Sequence, residues 1–329
     1  MRALCCVRWT AFVRRDDPEL TNAAPTRREA AALLASAGAW LASARARAQE
    51  PTPAPSDIPT TRVDTGVTTS DHITAPVMID GQGPFQFLVD TGANRSCVRR
   101  EVAELLGLPA GRPAPVNTVV GKRMQRSVRI DRLQVGGRTQ RGVTAPVLSI
   151  PEMEVDGVLG VDWLKGQRLT LDIRGRRLEI GRSRRDVSGP NTVVVPARRR
   201  SSQLTMVDAD VGGRPISAII DTGSQVTMMN AALRPEAERV RRKDRPGPEL
   251  VALLSVVGER FTGHLYHLPF MRVGGITFGN APVVFADAHV FDIWNLKTRP
   301  AVLLGIDLLR EFESVTLDFG RASVRFDFA

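Results

Sequence analysis

The sequence predicts an all-β protein made of two tandem copies of one unit, each with a single short helix. Three observations lead there. Five sequence blocks recur in the same order in the two halves of the chain. Strand-length apolar runs rich in β-branched and aromatic residues, such as "PFQFLVD" and "PISAIID", end abruptly at Thr-Gly. Turn signals such as "GQG", "VGG" and "IRGRR" separate the remaining short alternating strands.

The chain has 329 residues, enough for two domains that each bury a core. Hydrophobic content of 43% and charged content of 24% place it in the soluble globular class. Residues 1–48 read as an export signal. Arg27 and Arg28 form a basic region, Ala30 to Ala44 an apolar stretch too short and weakly hydrophobic for a membrane span, and Ala46-Arg47-Ala48 a small-x-small cleavage site. The paired arginines resemble a twin-arginine signal, although Glu29 and Ala30 follow where Phe-Leu is commoner. The expectation is a periplasmic or secreted protein with no stable membrane span after the signal is removed. Residues 1–48 hold eight Arg and four acidic residues, so +4 of the +10 net charge leaves with them and +6 remains, an ordinary solubility charge. Residues 49–70 are rich in Pro, Thr and Ser and read as an exposed linker.

The repeat starts beyond that linker. "IDGQGPFQFLVDTGANRS" (79–96) aligns with "DVGGRPISAIIDTGSQVT" (210–227), matching Gly81 to Gly212, Pro84 to Pro215 and Asp90 to Asp221 at one offset. "TVVGKR" (118–123) then pairs with "SVVGER" (255–260), and "LQVGG" (133–137) with "MRVGG" (271–275). "GVLGVDWL" (157–164) pairs with "AVLLGIDLL" (301–309), and "LTLDIRGRRLEI" (169–180) with "VTLDFGRASVRF" (315–326). These blocks set a first lobe at 71–184 and a second at 190–329, with a polar, turn-rich joint between. Helices are expected at 99–108 and 230–243. A third Asp-Thr-Gly, at Asp64, has no place in this register and is assigned to the linker.

Asp90 and Asp221 each end an apolar strand and lead into Thr-Gly. Gly allows a sharp turn that holds the carboxylate outward. The hydroxyls of Thr91 and Thr222 can donate to backbone of the opposite copy and lock the turns together. A two-fold arrangement then sets two carboxylates face to face. Both cannot ionise at close range near neutrality, so they share a proton. One member can deprotonate a water while the other donates to the carbonyl under attack.

D-T-G-[AS] after an apolar strand, followed later by an apolar-apolar-Gly block, resembles the retropepsin/pepsin superfamily of aspartic proteases, and most closely bacterial exported retropepsin-like proteases. The likeness covers about residues 70–329, two copies in one chain. It implies two tandem retropepsin-like β-barrel lobes related by pseudo-two-fold symmetry, with Asp90 and Asp221 as the catalytic dyad. It implies supporting roles for Thr91, Gly92, Ala93, Thr222, Gly223 and Ser224. Gly160 and Gly305 would lie behind the site, and Gly121 and Gly258 near the tips of two substrate-covering hairpins. The tyrosine of the pepsin-type flap is missing, because the only Tyr, Tyr266, follows the second hairpin. Ala93 follows one turn and Ser224 the other. If the Ser224 hydroxyl donates to its own carboxylate, Asp221 is the ionised member and Asp90 the protonated one.

The resemblance makes the protein an aspartic-type endopeptidase on extended polypeptide, monomeric because one chain carries both aspartates. An alternative from another class is a non-catalytic peptide-binding module of the same fold, and a third is hydrolysis of a non-protein amide in the envelope. No cofactor or metal is expected: H-E-x-x-H, G-x-S-x-G, a phosphate-binding loop and C-x-x-C are all missing, and His264 and His267 fall on opposite faces of a strand. With 5% aromatic residues there is little to stack nucleic-acid bases, so no nucleic-acid partner is expected. Cys97, seven residues past Asp90 with no His beside it in sequence, reads as a small buried hydrophobe.

Overall fold

Each copy opens with a hairpin whose turn residues are suited to it. Ile73–Ile79 and Gln82–Val89 meet at Asp80-Gly81, with φ of 51° and 88°. Leu204–Val211 and Arg214–Ile220 repeat this around Gly212-Gly213, at 59° and 84°. Such left-handed positions favour Gly, and Asp is one of the few other residues that accepts them.

The computed structural model describes residues 60–329, apart from 69–71, 119–120, 151–153, 165, 201–203, 245–246 and 256–257. It also describes Arg14–Arg15, a two-residue strand against Ile276 and Thr277. The expected export features, Arg27 to Ala48, and residues 49–59 of the expected linker lie outside the described residues.

From its hairpin each copy closes into a ring of six strands. The first runs Ile73–Ile79, Gln82–Val89, Gly157–Leu159, Cys97–Arg99, Arg138–Leu148 and Lys122–Val135, which pairs back onto Ile73–Ile79. The second runs Leu204–Val211, Arg214–Ile220, Ala301–Leu304, Met228–Met229, Ile276–Phe285 and Arg260–Val273, which returns to Leu204–Val211. The parallel pairs fall at the same places in both rings. Closure removes exposed edges from the rings. The chain is therefore all-β with two tandem retropepsin-like barrels.

A sheet built from both copies joins the lobes. Gln167–Asp172 pairs antiparallel with Ser314–Asp318 in the register Leu169 to Leu317, Thr170 to Thr316 and Leu171 to Val315. These strands are the "LTLD" and "VTLD" blocks, so the pairing is self-complementary about Thr170 and Thr316, as a two-fold axis requires. Their hydroxyls touch at 2.9 Å. Ser323–Asp327 and Thr192–Arg200 continue the sheet on one side, and Arg177–Arg182 and Thr61–Asp64 on the other. A cluster of buried apolar side chains runs from Val63 to Phe326 through both copies. The joint between lobes is pinned to this sheet. Ser183 and the Arg184 N–H donate to buried Asp318, and Asp186 pairs with Arg168 and Arg325.

Three local features differ from the sequence reading. Residues 61–67 are strand, not linker: Thr61–Asp64 pairs with Arg177–Ile180 and buries Thr61 and Val63 on alternate positions. Asp64 lies on that edge strand, and its Thr65 N–H donates to the Arg176 carbonyl. The expected helices are shorter, Arg100–Leu105 and Arg234–Val240, the first stopped by Gly107 (φ 57°) ahead of Pro109, the second following a 3-10 turn with Pro235 in its first turn. Additional short helical turns follow each apolar-Gly block, at Val161–Leu164 and Ile306–Leu309, and Val290–Ile293 forms another.

Candidate active site

The Asp-Thr-Gly turns hang from the strands Gln82–Val89 and Arg214–Ile220, and the apolar-Gly strands hold them from behind. Asp90 N–H donates to the Leu159 carbonyl at 3.1 Å, and Asp221 N–H to Leu304 at 3.0 Å. Gly160 and Gly305 are required by contact, not by φ. A Cβ on Gly160 would sit 2.7 Å from the Arg95 backbone, and one on Gly305 2.6 Å from that of Val226.

The two threonines bridge the copies reciprocally. Thr91 Oγ1 donates to the Ile220 carbonyl (2.9 Å) and accepts from Thr222 N–H (3.1 Å). Thr222 Oγ1 donates to the Val89 carbonyl (2.6 Å) and accepts from Thr91 N–H (3.1 Å). Both threonines are buried, so the bonds are shielded from water. Gly92 and Gly223 complete the exchange: a Cβ on Gly92 would clash with the Asp221 carboxyl, and one on Gly223 with that of Asp90. Neither has positive φ. The glycines are needed for close approach of the two copies, which replaces the turn-geometry reason read from sequence.

Burial raises both carboxyl pKa values above the usual carboxylate range. Asp221 is pushed further by the negative charge of Asp90 and by its hydrogen bond to that residue. Asp90 accepts backbone N–H bonds from Gly92 (2.8 Å) and Ala93 (2.9 Å), and Asp221 from Gly223 (2.9 Å) and Ser224, which favour the charged form on each side alike. The two carboxyls therefore hold one proton between them. The condition on which the sequence placed the charge on Asp221 is not met, because the Ser224 hydroxyl donates to the Val226 carbonyl at 2.8 Å instead of to Asp221.

Each turn is also buckled to its apolar-Gly strand by a device that sequence reasoning missed. Ser96 Oγ accepts from Gly160 N–H (3.0 Å) and donates to Asp162 (2.8 Å), which also accepts the Ser96 N–H. Thr227 repeats this with Gly305 N–H (3.1 Å) and Asp307 (2.7 Å). The signal was present, since Ser96 and Thr227 share the repeat offset and both acids stand two residues past the glycine. Burial raises the Asp307 pKa to about 6 despite three donors. Cys97, beside Ser96, is a buried free thiol whose pKa is pushed up by burial.

The paired hairpins Ala110–Asn117 with Lys122–Val135, and Glu249–Leu254 with Arg260–Val273, meet at their ends. Glu259 of the second accepts from Thr118 Oγ1 (2.7 Å) and pairs with Arg123 (2.8 Å), both of the first. Gly258 has φ 79° and donates to the Ser255 carbonyl. Gly121 bonds Thr118 at the end of its own hairpin, but it has no positive φ, and among the described residues nothing stands close enough to demand glycine there. Tyr266 is turned away into the second lobe, donating to Glu238 of the helix Arg234–Val240 at 2.8 Å. Among the described residues no group of His, Cys, Asp and Glu could hold a metal ion, and no helix is long and apolar enough to cross a membrane.

Comparison with known families gives two matches, one per copy. Residues 75–166 match the family described as "gag-polyprotein putative aspartyl protease", and residues 207–308 match "Aspartyl protease". The chain belongs to the retropepsin-like aspartic protease superfamily. No curated protein matches it. Each matched segment of this retropepsin-like chain contains one Asp-Thr-Gly turn and its apolar-Gly block.

Two outcomes test the geometry. Thr222→Val keeps shape but strands the Thr91 N–H and the Val89 carbonyl in a buried interface. It should cost roughly 1–3 kcal/mol for each orphaned group in urea denaturation, whereas an exposed hydroxyl would cost almost nothing. Asp307, with a folded value of about 6 against 3.8, keeps in the folded state a proton that the unfolded chain releases. Its contribution is most favourable below about pH 4 and is lost as pH rises through 6, on the order of 3 kcal/mol. Asp307→Asn should flatten the dependence of the urea midpoint on pH between 4 and 6.

Proposed function

We propose that the protein is an exported aspartic endopeptidase with Asp90 and Asp221 as its catalytic dyad. The observation that carries this reading is the reciprocal threonine bridge, which sets two half-buried carboxyls, both raised in pKa, beside one another. Charged Asp90 takes a proton from a water positioned between the carboxyls. The resulting hydroxide attacks the carbonyl carbon of the peptide bond, while Asp221 gives its proton to the carbonyl oxygen. Collapse of the tetrahedral intermediate breaks the C–N bond, and the amine leaves with the proton that Asp90 received. The other groups act by positioning: Thr91 and Thr222 set the distance between the carboxyls, and Gly92 and Gly223 make room for them.

The two hairpins, joined through Glu259, Arg123 and Thr118, would cover an extended polypeptide and bond to its backbone by strand addition. Both aspartates lie in one chain, which supports a monomer. Export to the periplasm or beyond rests on Arg27-Arg28, the apolar stretch and the Ala46-Arg47-Ala48 site.

The purified protein should cut a proteome-derived peptide mixture between pH 3 and 8, with activity falling as Asp221 loses its proton. Asp90→Asn and Asp221→Asn should each lower the rate on the order of 10²–10⁴-fold, and pepstatin should inhibit. Folded protein that binds peptides without cutting them would instead establish a peptide-binding module.

A further inference from the structure

The pseudo-two-fold axis relates positions on the two sides of the dyad, and they differ in chemistry. Five residues past each aspartate stand Arg95 in the first copy and Val226 in the second. Their equivalence is structural as well as sequential. Val161 N–H donates to the Ala93 carbonyl where Ile306 N–H donates to Ser224, and the backbones of Arg95 and Val226 rest on Gly160 and Gly305. Arg95 is exposed and pairs with no carboxylate among the described residues. Val226 is half-buried and packs on an apolar cluster. That cluster is continued by Leu253 and Phe261 from the second hairpin and by Val290 and Ile293 from the segment 286–300. The matching segment of the first copy is shorter, 149–156, and among the described residues Ala93 and Val116 flank the corresponding small cluster. The hairpins carry the same bias: Asn117 in the first copy corresponds to Leu254 in the second, whose side is exposed and apolar.

Resting on the peptidase reading, we propose that Arg95 and Val226 determine specificity. A polypeptide is bound with an acidic side chain on the first-lobe side of the cut bond and a bulky apolar one on the second-lobe side. A peptide crossing a two-fold site could lie in either direction with equal energy if the halves were identical. An unpaired guanidinium on one side and an apolar wall on the other remove that degeneracy. Arg suits the task because its planar fork binds a carboxylate bidentately and never loses its charge. The exposed position limits the gain to about two- to five-fold in kcat/KM. Apolar selection on the Val226 side is larger, about tenfold or more per missing methylene group.

The test is the cleavage profile of the full chain on a proteome-derived peptide mixture, read by mass spectrometry, with Asp221→Asn as the blank. Dyad-dependent cuts should show Asp and Glu enriched on one side of the bond and large apolar residues on the other. Arg95→Glu should replace the acidic enrichment by Lys and Arg at the same subsite and leave the apolar preference in place, while Arg95→Lys should retain the acidic enrichment. Val226→Asp should erase the apolar preference alone. Dyad-dependent cuts with no acidic enrichment, or with enrichment that survives Arg95→Glu, would overturn the assignment and leave the peptidase standing. Cuts independent of Asp221, or no cuts at all, would overturn the peptidase reading and the assignment with it.

Discussion

Two threonine hydroxyls, each donating to a carbonyl of the opposite copy, are the constraint on which the rest of this structure depends. Their four hydrogen bonds are not what binds the lobes together. At about 0.5–1.5 kcal/mol net each, they are small beside the shared sheet and the continuous apolar core. Their importance is directional. A hydrophobic interface tolerates sliding, whereas a buried donor cannot lose its acceptor without a penalty of about 1–3 kcal/mol. The bridge converts a broad association of two barrels into one fixed separation of two carboxyl groups, and Gly92 and Gly223 are small because that separation leaves no room for a methyl group.

Each layer of the structure repeats this two-fold logic. Thr170 and Thr316 meet at the centre of the joining sheet, Thr91 and Thr222 at the floor of the site, and the hairpin ends meet through Glu259. Departures from symmetry carry the functional differences. At Ala93 and Ser224 both turns give their aspartate a second backbone donor, but only the second carries a hydroxyl, which it spends on the Val226 carbonyl. Lys122 in the first hairpin is replaced by Glu259 in the second, and only the acid can reach across to Arg123. The common arrangement supplies acid–base chemistry, and the differences assign its direction.

Much of this was legible in the chain because duplication writes each essential position twice. The lobes, the strand class and both Asp-Thr-Gly turns follow from blocks kept in register. Other features were hidden for definite reasons. Thr61–Asp64 is a four-residue edge strand whose Thr/Arg/Val/Asp alternation is masked by Pro and Thr on its N-terminal side. Asp162 and Asp307 lie inside blocks that were read for their apolar residues and glycines, so the buckle to Ser96 and Thr227 went unread. The Ser224 hydroxyl has two acceptors within reach, its own carboxylate and a carbonyl two residues on, and only the side-chain rotamer decides between them. That single torsion removed the ground for placing the charge on Asp221.

The central claim, one proton shared by the two aspartates and held by Asp221 in the proposed mechanism, is tested most directly by neutron diffraction from deuterium-exchanged crystals near neutral pD. Nuclear density for one deuteron, bonded to Asp221 and directed at Asp90, is the expected result. Density on both carboxyls, on neither, or on Asp90 alone would contradict it.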